Sequence, residues 1–369
     1  MGSCSRLPSR ARAPHGPRTQ AAAGPGWRVC PNGQHGAAEF MKQMADRTVM
    51  EAGDGASLWV ESAPAKINLF LHVTGRRADG YHLLQSLFVY LDLADRLTVK
   101  PHTRASRDRL TIVGPMADAL RKETGADNLV LRALALLREA GGNLPPLAVT
   151  LEKHVPVAAG LGGGSADAAA MVRLGQRILA ACGHPVPEAE KLAELALALG
   201  ADVPPALYCR PSWVEGIGER LVPLDVPSSW ADLEIVLVNP NQPLATAAVF
   251  RRWAQSGRPF HHHISQPRDA ILASPQAFTS WLATETTNDL EPAATALLPD
   301  IMTILEALRS CPGCLLARMS GSGATCFALF ANRRAAEHAR TRLRQEHPDW
   351  WTALARIRQS WQGDAAVGV

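Results

Sequence analysis

The stretch Val157-Ala158-Ala159-Gly160-Leu161-Gly162-Gly163-Gly164-Ser165, running directly into Ala166-Asp167-Ala168-Ala169-Ala170, constrains this chain more than any other. Clustered glycines open backbone conformations closed to other residues and let a ligand approach the main chain. The alanine-rich continuation favours helix. A helix's first turn offers unpaired N–H groups at the positive end of its dipole. A glycine loop feeding such a turn makes an anion site, and a phosphate chain is its natural guest. The competing reading is a tight turn with no ligand. Leu147, Val149 and Leu151 alternate up to Lys153, so the order is strand, glycine loop, helix, as phosphate cradling requires. Lys153 is placed either to add charge to that loop or to face water at the strand end.

Neither of the two common glycine fingerprints fits. A Walker A loop closes on Gly-Lys-Ser/Thr, but Gly164 is followed at once by Ser165. A dinucleotide loop needs Gly-x-Gly-x-x-Gly, and the registers starting at Gly160 and Gly162 reach Ser165 and Asp167 instead. Any lysine at the phosphates must come from elsewhere in the chain.

With 369 residues, 47% of them apolar, the chain has enough material for two medium cores. No apolar run approaches the ~20 residues that span a bilayer, so no membrane segment is expected. The seven cysteines are scattered and odd in number, which points to a reducing compartment. Cys311-Pro312-Gly313-Cys314 is the one close pair; it lacks a second pair or histidines at ligand spacing and reads as a turn, so no metal site is expected. The net charge of +4 sits mostly in residues 1–56, where seven Lys or Arg face four Asp or Glu, leaving 31 against 30 in the remainder. A near-neutral body has no electrostatic footprint for nucleic acid. The Arg/Ala/Gly/Pro-rich first 56 residues read as a disordered extension. Met41, Met44 and Met50 offer later starts than Met1, and a transit peptide is the other source of such a composition.

Folded structure is expected from about Leu58. Ile67, Leu69, Leu71 and Val73 alternate as a strand with one face on a core, leaving Lys66 and Asn68 together on the other face. There Lys66 is either a solvated strand residue or a functional one. Gly75 to Gly80 reads as a turn into a second strand from Tyr81 toward Tyr90, which brings Tyr81 and His82 to a loop exit. Asn128 fits the N-cap of an amphipathic helix from Leu129 to Ala140. Glu188 to Leu199 is helical in pattern and stops at Gly200, so Asp202 is held between a helix stop and Pro204-Pro205. A carboxylate on so stiff a segment suits a positional role, and equally a cap for the next helix. Glu234 to Val238 opens a second unit, and Thr246 to Trp253 is helical in pattern. His261-His262-His263 falls in a polar, solvated connection. A second glycine loop, Ser320-Gly321-Ser322-Gly323, leads into the strand-like Cys326 to Phe330.

Three separated segments together resemble the GHMP kinases, the superfamily of galactokinase, homoserine kinase and mevalonate kinase. Ala63-Pro64-Ala65-Lys66-Ile67-Asn68-Leu69 is similar to the first motif of that superfamily, Pro156 through Ala170 to the glycine-loop motif, and Ser320-Gly321-Ser322-Gly323-Ala324 to the third, in the same order. The likeness runs from Leu58 to the C-terminus. Arg77-Ala78-Asp79-Gly80-Tyr81-His82 and Gly200-Ala201-Asp202-Val203-Pro204 resemble, more narrowly, the branch that phosphorylates a cytidine diphosphate-linked methylerythritol in non-mevalonate isoprenoid synthesis.

The resemblance implies an α+β fold of two domains, residues 57–226 binding ATP and residues 227–369 forming a ferredoxin-like unit, with the active site in the cleft between them. It implies transfer of phosphate from ATP, accompanied by Mg²⁺, to the 2-hydroxyl of the methylerythritol. Asp202 would be the base and Lys66 its cationic partner. The residues implied for ATP are Lys153, Pro156, Val157, Ala158, Ala159, Gly160, Leu161, Gly162, Gly163, Gly164 and Ser165, with Asn128. For the acceptor they are Tyr81, His82 and Phe250 at the cytidine, with Asn68 and Thr246 at polar groups nearby. Ser320, Gly321, Ser322 and Gly323 would be a structural loop. A monomer or homodimer in the cytoplasm is expected, or in a plastid if the extension is a transit peptide. The pattern departs from the family at Ala158-Ala159, where glycine is frequent, and at Ala166-Asp167, where Ser-Asn is. Asp167 would repel a triphosphate it faced, so it is expected to point away. The competing functions are phosphorylation of another small alcohol, such as mevalonate or homoserine, and non-catalytic nucleotide sensing.

Overall fold

The computed structural model describes residues 28–29, 50–51, 57–102, 106–120, 124–125 and 127–358. The expectation of a disordered extension therefore falls almost wholly outside the described residues. Two long strands, β1 (Ser57–Arg76) and β2 (His82–Pro101), form an antiparallel hairpin. Their turn is closed by the Gly80 N–H on the Arg77 carbonyl (3.0 Å) and by the Tyr81 N–H on Asp79 Oδ1 (3.2 Å), with Gly80 at φ +92°. β3 (Arg109–Val113), α1 (Leu129–Glu139) and β4 (Leu147–Glu152) follow. Next come α2 (Gly163–Ala181), α3 (Ala189–Leu199), α4 (Val203–Tyr208), β5 (Ser212–Gly216) and β6 (Arg220–Pro223). One half of β2 pairs with β5 and the other with β4, while β1 runs along its other edge.

Both strands of the hairpin extend well past the alternating segments seen in the sequence, because both faces of β1 are covered. Ile67 and Leu69 are fully buried, but so are Phe70 and His72, and Lys66 and Asn68 are only 7% and 2% exposed. Of the two readings of Lys66, the solvated strand residue is excluded. On one side lies α2, whose residues Ala166 to Leu179 are buried all round. Its alanines allow the close approach that larger side chains would block.

The other side meets a second sheet. β7 (Glu234–Asn239), α5 (Thr246–Gln255), α6 (Pro275–Glu285), α7 (Glu291–Leu297), α8 (Asp300–Arg309), β8 (Cys314–Met319), β9 (Cys326–Phe330), α9 (Arg333–Glu346) and β10 (Trp351–Arg356) make up this part. Its strand order β8-β9-β7-β10 is antiparallel throughout, the ferredoxin-like arrangement. Ile235, Leu237, Phe327 and Leu329 share a core with Ile67, Leu69, Leu87 and Val89 of the hairpin. Cys311 to Cys314 is a turn, with the Cys314 N–H on the Cys311 carbonyl at 3.1 Å. The connection holding His261 is irregular, as expected, but it is not wholly solvated. His261 stacks on buried His72 at 3.6 Å and 11°, and its N–H donates to the Val73 carbonyl.

Candidate active site

The glycine loop closes into a cradle because two of its glycines meet backbone or side chain where a Cβ would sit. Gly160 (φ +75°) lies over the 320–323 loop, and an added Cβ would fall 2.6 Å from the Ser320 carbonyl oxygen. Gly162 (φ +67°) lies over the Lys66 stem, its Cβ position 2.9 Å from Lys66 Cγ. Helix α2 then starts at Gly163, with Gly162 at its N-cap and no side chain capping it. Its first turn carries Gly163, Gly164 and Ser165, so its amides point outward as an anion site needs. The two glycine loops interlock: Ser320 Oγ donates to the Gly160 carbonyl and accepts from the Asn68 N–H, both at 3.1 Å, and the Thr325 N–H donates to the Ala159 carbonyl.

Lys66 and Asp202, 136 positions apart in the chain, come together at the rim of this cradle. Their head groups are 3.5 Å apart, the lysine side chain 9% exposed and the aspartate 41%. Lys66 Nζ also donates to Asn68 Oδ1 (2.7 Å) and lies 4.5 Å from the Phe88 ring centroid. Asp202 holds the N-cap position of α4, with prolines in the first turn, yet its side chain makes no capping hydrogen bond. The carboxylate turns to Lys66 instead and is not spent on capping.

Lys153 does not face water. It is 2% exposed, and its ammonium donates to Asp95 Oδ2 and, at 2.7 Å, to Asp167 Oδ2. The two carboxylates hold its ammonium beside the glycine loop, where it lines the cavity. Asp167 is buried beside Lys153 and also lines the cavity. Burial, with Asp95 adding to it, pushes its carboxyl up to about 7 against the opposing pull of Lys153. Leu161 is likewise turned into the core between the sheets, while its carbonyl accepts from the Lys66 N–H at 2.9 Å.

A cavity of about 1190 Å³ runs from the cradle to the β1–β2 turn. It is lined by Asn128, by Lys153, by Pro156 to Gly160, by Gly162 to Ser165, by Asp167, and by Lys66, Asn68 and Asp202. Tyr81, His82, Thr246, Phe250, Gly321 and Ser322 line the rest, whereas Leu161, Ser320 and Gly323 lie behind the wall. Asn128 is also the expected cap of α1, its Oδ1 accepting from the Val130 N–H at 2.9 Å. At the far end His82 stacks on Phe250 (5.2 Å, 19°) and meets Trp253 edge-on. Burial, and after it Arg76, pull the His82 imidazole below its usual value, so it stays neutral and able to both donate and accept. Tyr81 is 64% exposed at the mouth. Thr246 Oγ1 is hydrogen-bonded to Ser322 Oγ at 2.8 Å, tying α5 to the 320–323 loop.

Sequence reasoning missed Asp95, Asn288, Arg76 and Arg251. Asn288 Nδ2 donates to the Met319 and Gly321 carbonyls, both at 2.8 Å, and so fixes the second loop. Arg76 and Arg251 line the cavity beside the His82–Phe250 stack. For Arg251 a signal was available: Thr246, Ala247, Phe250, Arg251 and Ala254 make one stripe of a helix.

Residues 128–210 match the model of the GHMP kinases N terminal domain and residues 271–349 that of the GHMP kinases C terminal. The 4-diphosphocytidyl-2-C-methyl-D-erythritol kinase of Parvibaculum lavamentivorans is 47% identical over 296 residues, covering 80% of this chain and 97% of that protein. The chain belongs to the 4-diphosphocytidyl-2-C-methyl-D-erythritol kinases. The family member from Dinoroseobacter shibae is 45% identical over 80% of this chain and 94% of its own length. A crystal structure of a 4-(cytidine 5'-diphospho)-2C-methyl-D-erythritol kinase superposes with a TM-score of 0.62 at 34% identity, over 81% of this chain and all of that one. A homoserine kinase from Cytophaga hutchinsonii, 19% identical over 85% of this chain and 98% of its own, shares the fold with a TM-score of 0.58. The family assignment makes the chain an enzyme of the kinase class with ATP as co-substrate. Among the described residues no helix is long and apolar enough to cross a membrane.

Proposed function

We propose that this chain transfers the γ-phosphoryl group of ATP to the 2-hydroxyl of 4-diphosphocytidyl-2-C-methyl-D-erythritol, releasing ADP, as a step of non-mevalonate isoprenoid synthesis. The observation that carries this reading is the Lys66–Asp202 pair, 3.5 Å apart at the rim of the amide-lined cradle and within the same cavity as the His82–Phe250 stack. Phosphoryl transfer depends mainly on alignment and charge stabilisation. Asp202, the more open of the two, accepts the alcohol proton as the oxygen attacks phosphorus. Lys66 holds that carboxylate in place and offsets the negative charge gathering between acceptor and phosphate.

The α2 amides with Ser165 receive the triphosphate. A Mg²⁺ bound with ATP would neutralise triphosphate charge and would need few protein ligands of its own. The Ser165 hydroxyl in the first turn of α2 is a hard oxygen donor that fits such an ion. At the other end, an aromatic stack and a neutral imidazole suit a cytosine, whose ring packs on a face and whose edge both donates and accepts. Arg76 and Arg251 beside the stack suit a diphosphate linker.

The test is an ADP-coupled assay with the cytidylated methylerythritol, mevalonate and homoserine as acceptors. ADP release with the first and little with the others is expected. Equal turnover of mevalonate or homoserine, or no turnover of any, would overturn the reading.

A further inference from the structure

We propose that Ser86 of β2 is a positioning residue for the Lys66–Asp202 pair, acting through the side-chain amide of Asn68. This role rests on the kinase reading above and adds to it a buried residue that does not itself line the cavity.

The alternation of the two long strands puts the groups involved on one face of the hairpin. Lys66 and Asn68 are two apart on β1, Ser86 and Phe88 two apart on β2, and Asn68 stands opposite Phe88 in the antiparallel register. That register shifts between Asn68 and Phe70, leaving Leu69 with no opposite residue. Just past the shift the Phe70 carbonyl accepts from the Ser86 hydroxyl at 2.5 Å. Ser86 Oγ in turn accepts from Asn68 Nδ2 (3.0 Å), and Asn68 Oδ1 accepts from Lys66 Nζ (2.7 Å). A single line of hydrogen bonds therefore runs from a main-chain carbonyl to the ammonium that stands beside Asp202.

One arrangement of protons fits this line. A main-chain carbonyl only accepts, an ammonium only donates, and a serine hydroxyl has one proton to give. Phe70 takes that proton, so Ser86 offers Asn68 an acceptor and nothing else. The amide must then present Nδ2 to Ser86 and Oδ1 to Lys66. A flipped amide would set two donors face to face at Lys66 and two unprotonated oxygens face to face at Ser86. Ser86 and Asn68 are 1% and 2% exposed, so water does not replace either lost contact. The ammonium lies closer to Asn68 (2.7 Å) than to Asp202 (3.5 Å), so the amide, rather than the carboxylate, fixes where Lys66 stands. Held there, Lys66 leaves Asp202 open to the acceptor hydroxyl instead of closing on it. The Asn68 main chain is fixed separately, its N–H donating to Ser320 Oγ at 3.1 Å. The turn of the amide is the freedom that Ser86 removes.

The test compares Ser86→Thr, which keeps the hydroxyl, with Ser86→Val, which has the same outline and lacks it. The kcat per mole of folded protein, KM for ATP and the dissociation constant of a non-hydrolysable ATP analogue are measured for both, beside wild type and Ser86→Ala. Ser86→Val and Ser86→Ala are expected to lose about tenfold in kcat, with KM for ATP and analogue affinity within about twofold of wild type, while Ser86→Thr stays within about threefold in kcat. Equal kcat in the Thr and Val variants overturns the role. So does a Ser86→Ala protein that loses stability but keeps the wild-type kcat, and this comparison decides where the larger side chains do not fold. In an Asn68→Ala background Ser86→Ala is expected to change kcat by less than about twofold, and a further drop of about tenfold there refutes action through Asn68. A wild-type chain that turns over no acceptor sinks the kinase reading itself, whereas normal wild-type turnover with equal Thr and Val variants sinks the positioning role alone.

Discussion

Gly160→Ala tests the interlock of the two glycine loops. At φ +75° an alanine carries the left-handed penalty, and its Cβ would lie 2.6 Å from the Ser320 oxygen and 2.8 Å from the Gly323 oxygen, where ordinary contact begins at 3.4 Å. These are backbone atoms, so no rotamer change relieves the overlap, and the 320–323 loop must recede by 0.8 Å (3.4 less 2.6). The conformational penalty of about 1–2 kcal/mol and an overpacking penalty of about 1–3 kcal/mol together give about 2–5 kcal/mol of destabilisation. The same movement strains the hydrogen bonds from Ser320 to Gly160 and from Asn68 to Ser320. Asn68 is also a partner of Lys66, so turnover falls with stability. Urea denaturation of the purified variant measures the first effect and the ADP-coupled assay the second. A variant within about 0.5 kcal/mol of wild type, the range of an ordinary surface substitution, would refute the interlock.

Ala158 adopts φ +51° without being glycine, so Ala158→Gly is expected to stabilise by about 1 kcal/mol and raise Tm by about 2–4 °C; a lower Tm in scanning calorimetry contradicts this. Phe250→Ala removes one face of the stack with His82 and is expected to raise KM for the cytidylated acceptor about tenfold or more, with KM for ATP unchanged; a matching rise in both separates Phe250 from the acceptor. Glu61 accepts from buried Arg173 (2.6 Å) and Arg177 (3.0 Å), so Glu61→Leu is expected to cost about 3–5 kcal/mol in urea denaturation, and a loss below about 1 kcal/mol would mean the pair behaves as a surface bridge.

What the sequence disclosed was local. The glycine loop, the start of α2 and the stiff setting of Asp202 each depend on residues adjacent in the chain, and so do the caps and the β1–β2 turn. What it hid depends on pairings between distant segments. Lys66 reads as half-solvated until the glycine loop and Asp202, both far along the chain, close over its face of β1. Asp95 gives no signal until β2 and β4 pair, which carries its carboxylate to the amides of His154 and Val155. The direction of Lys153 follows from the same pairing, because two carboxylates from separate elements outcompete solvent for its ammonium. His261 was misread because its stacking partner, His72, is nearly two hundred residues upstream. The alternatives at Asp202 could not be decided locally, since its cap position is real and only the ion pair with Lys66 shows where the carboxylate turns.

The most direct test of the account is Asp202→Asn, which keeps the shape of the side chain and removes its basicity. Turnover with the cytidylated methylerythritol and the dissociation constant for the ATP analogue are measured on the same preparation. Turnover is expected to fall by a factor of about 10²–10⁴, the usual contribution of a positioned base, with ATP-analogue affinity within a few-fold of wild type. Unchanged turnover, or a loss of activity that tracks a loss of nucleotide binding, would remove the Lys66–Asp202 pair from the centre of the mechanism.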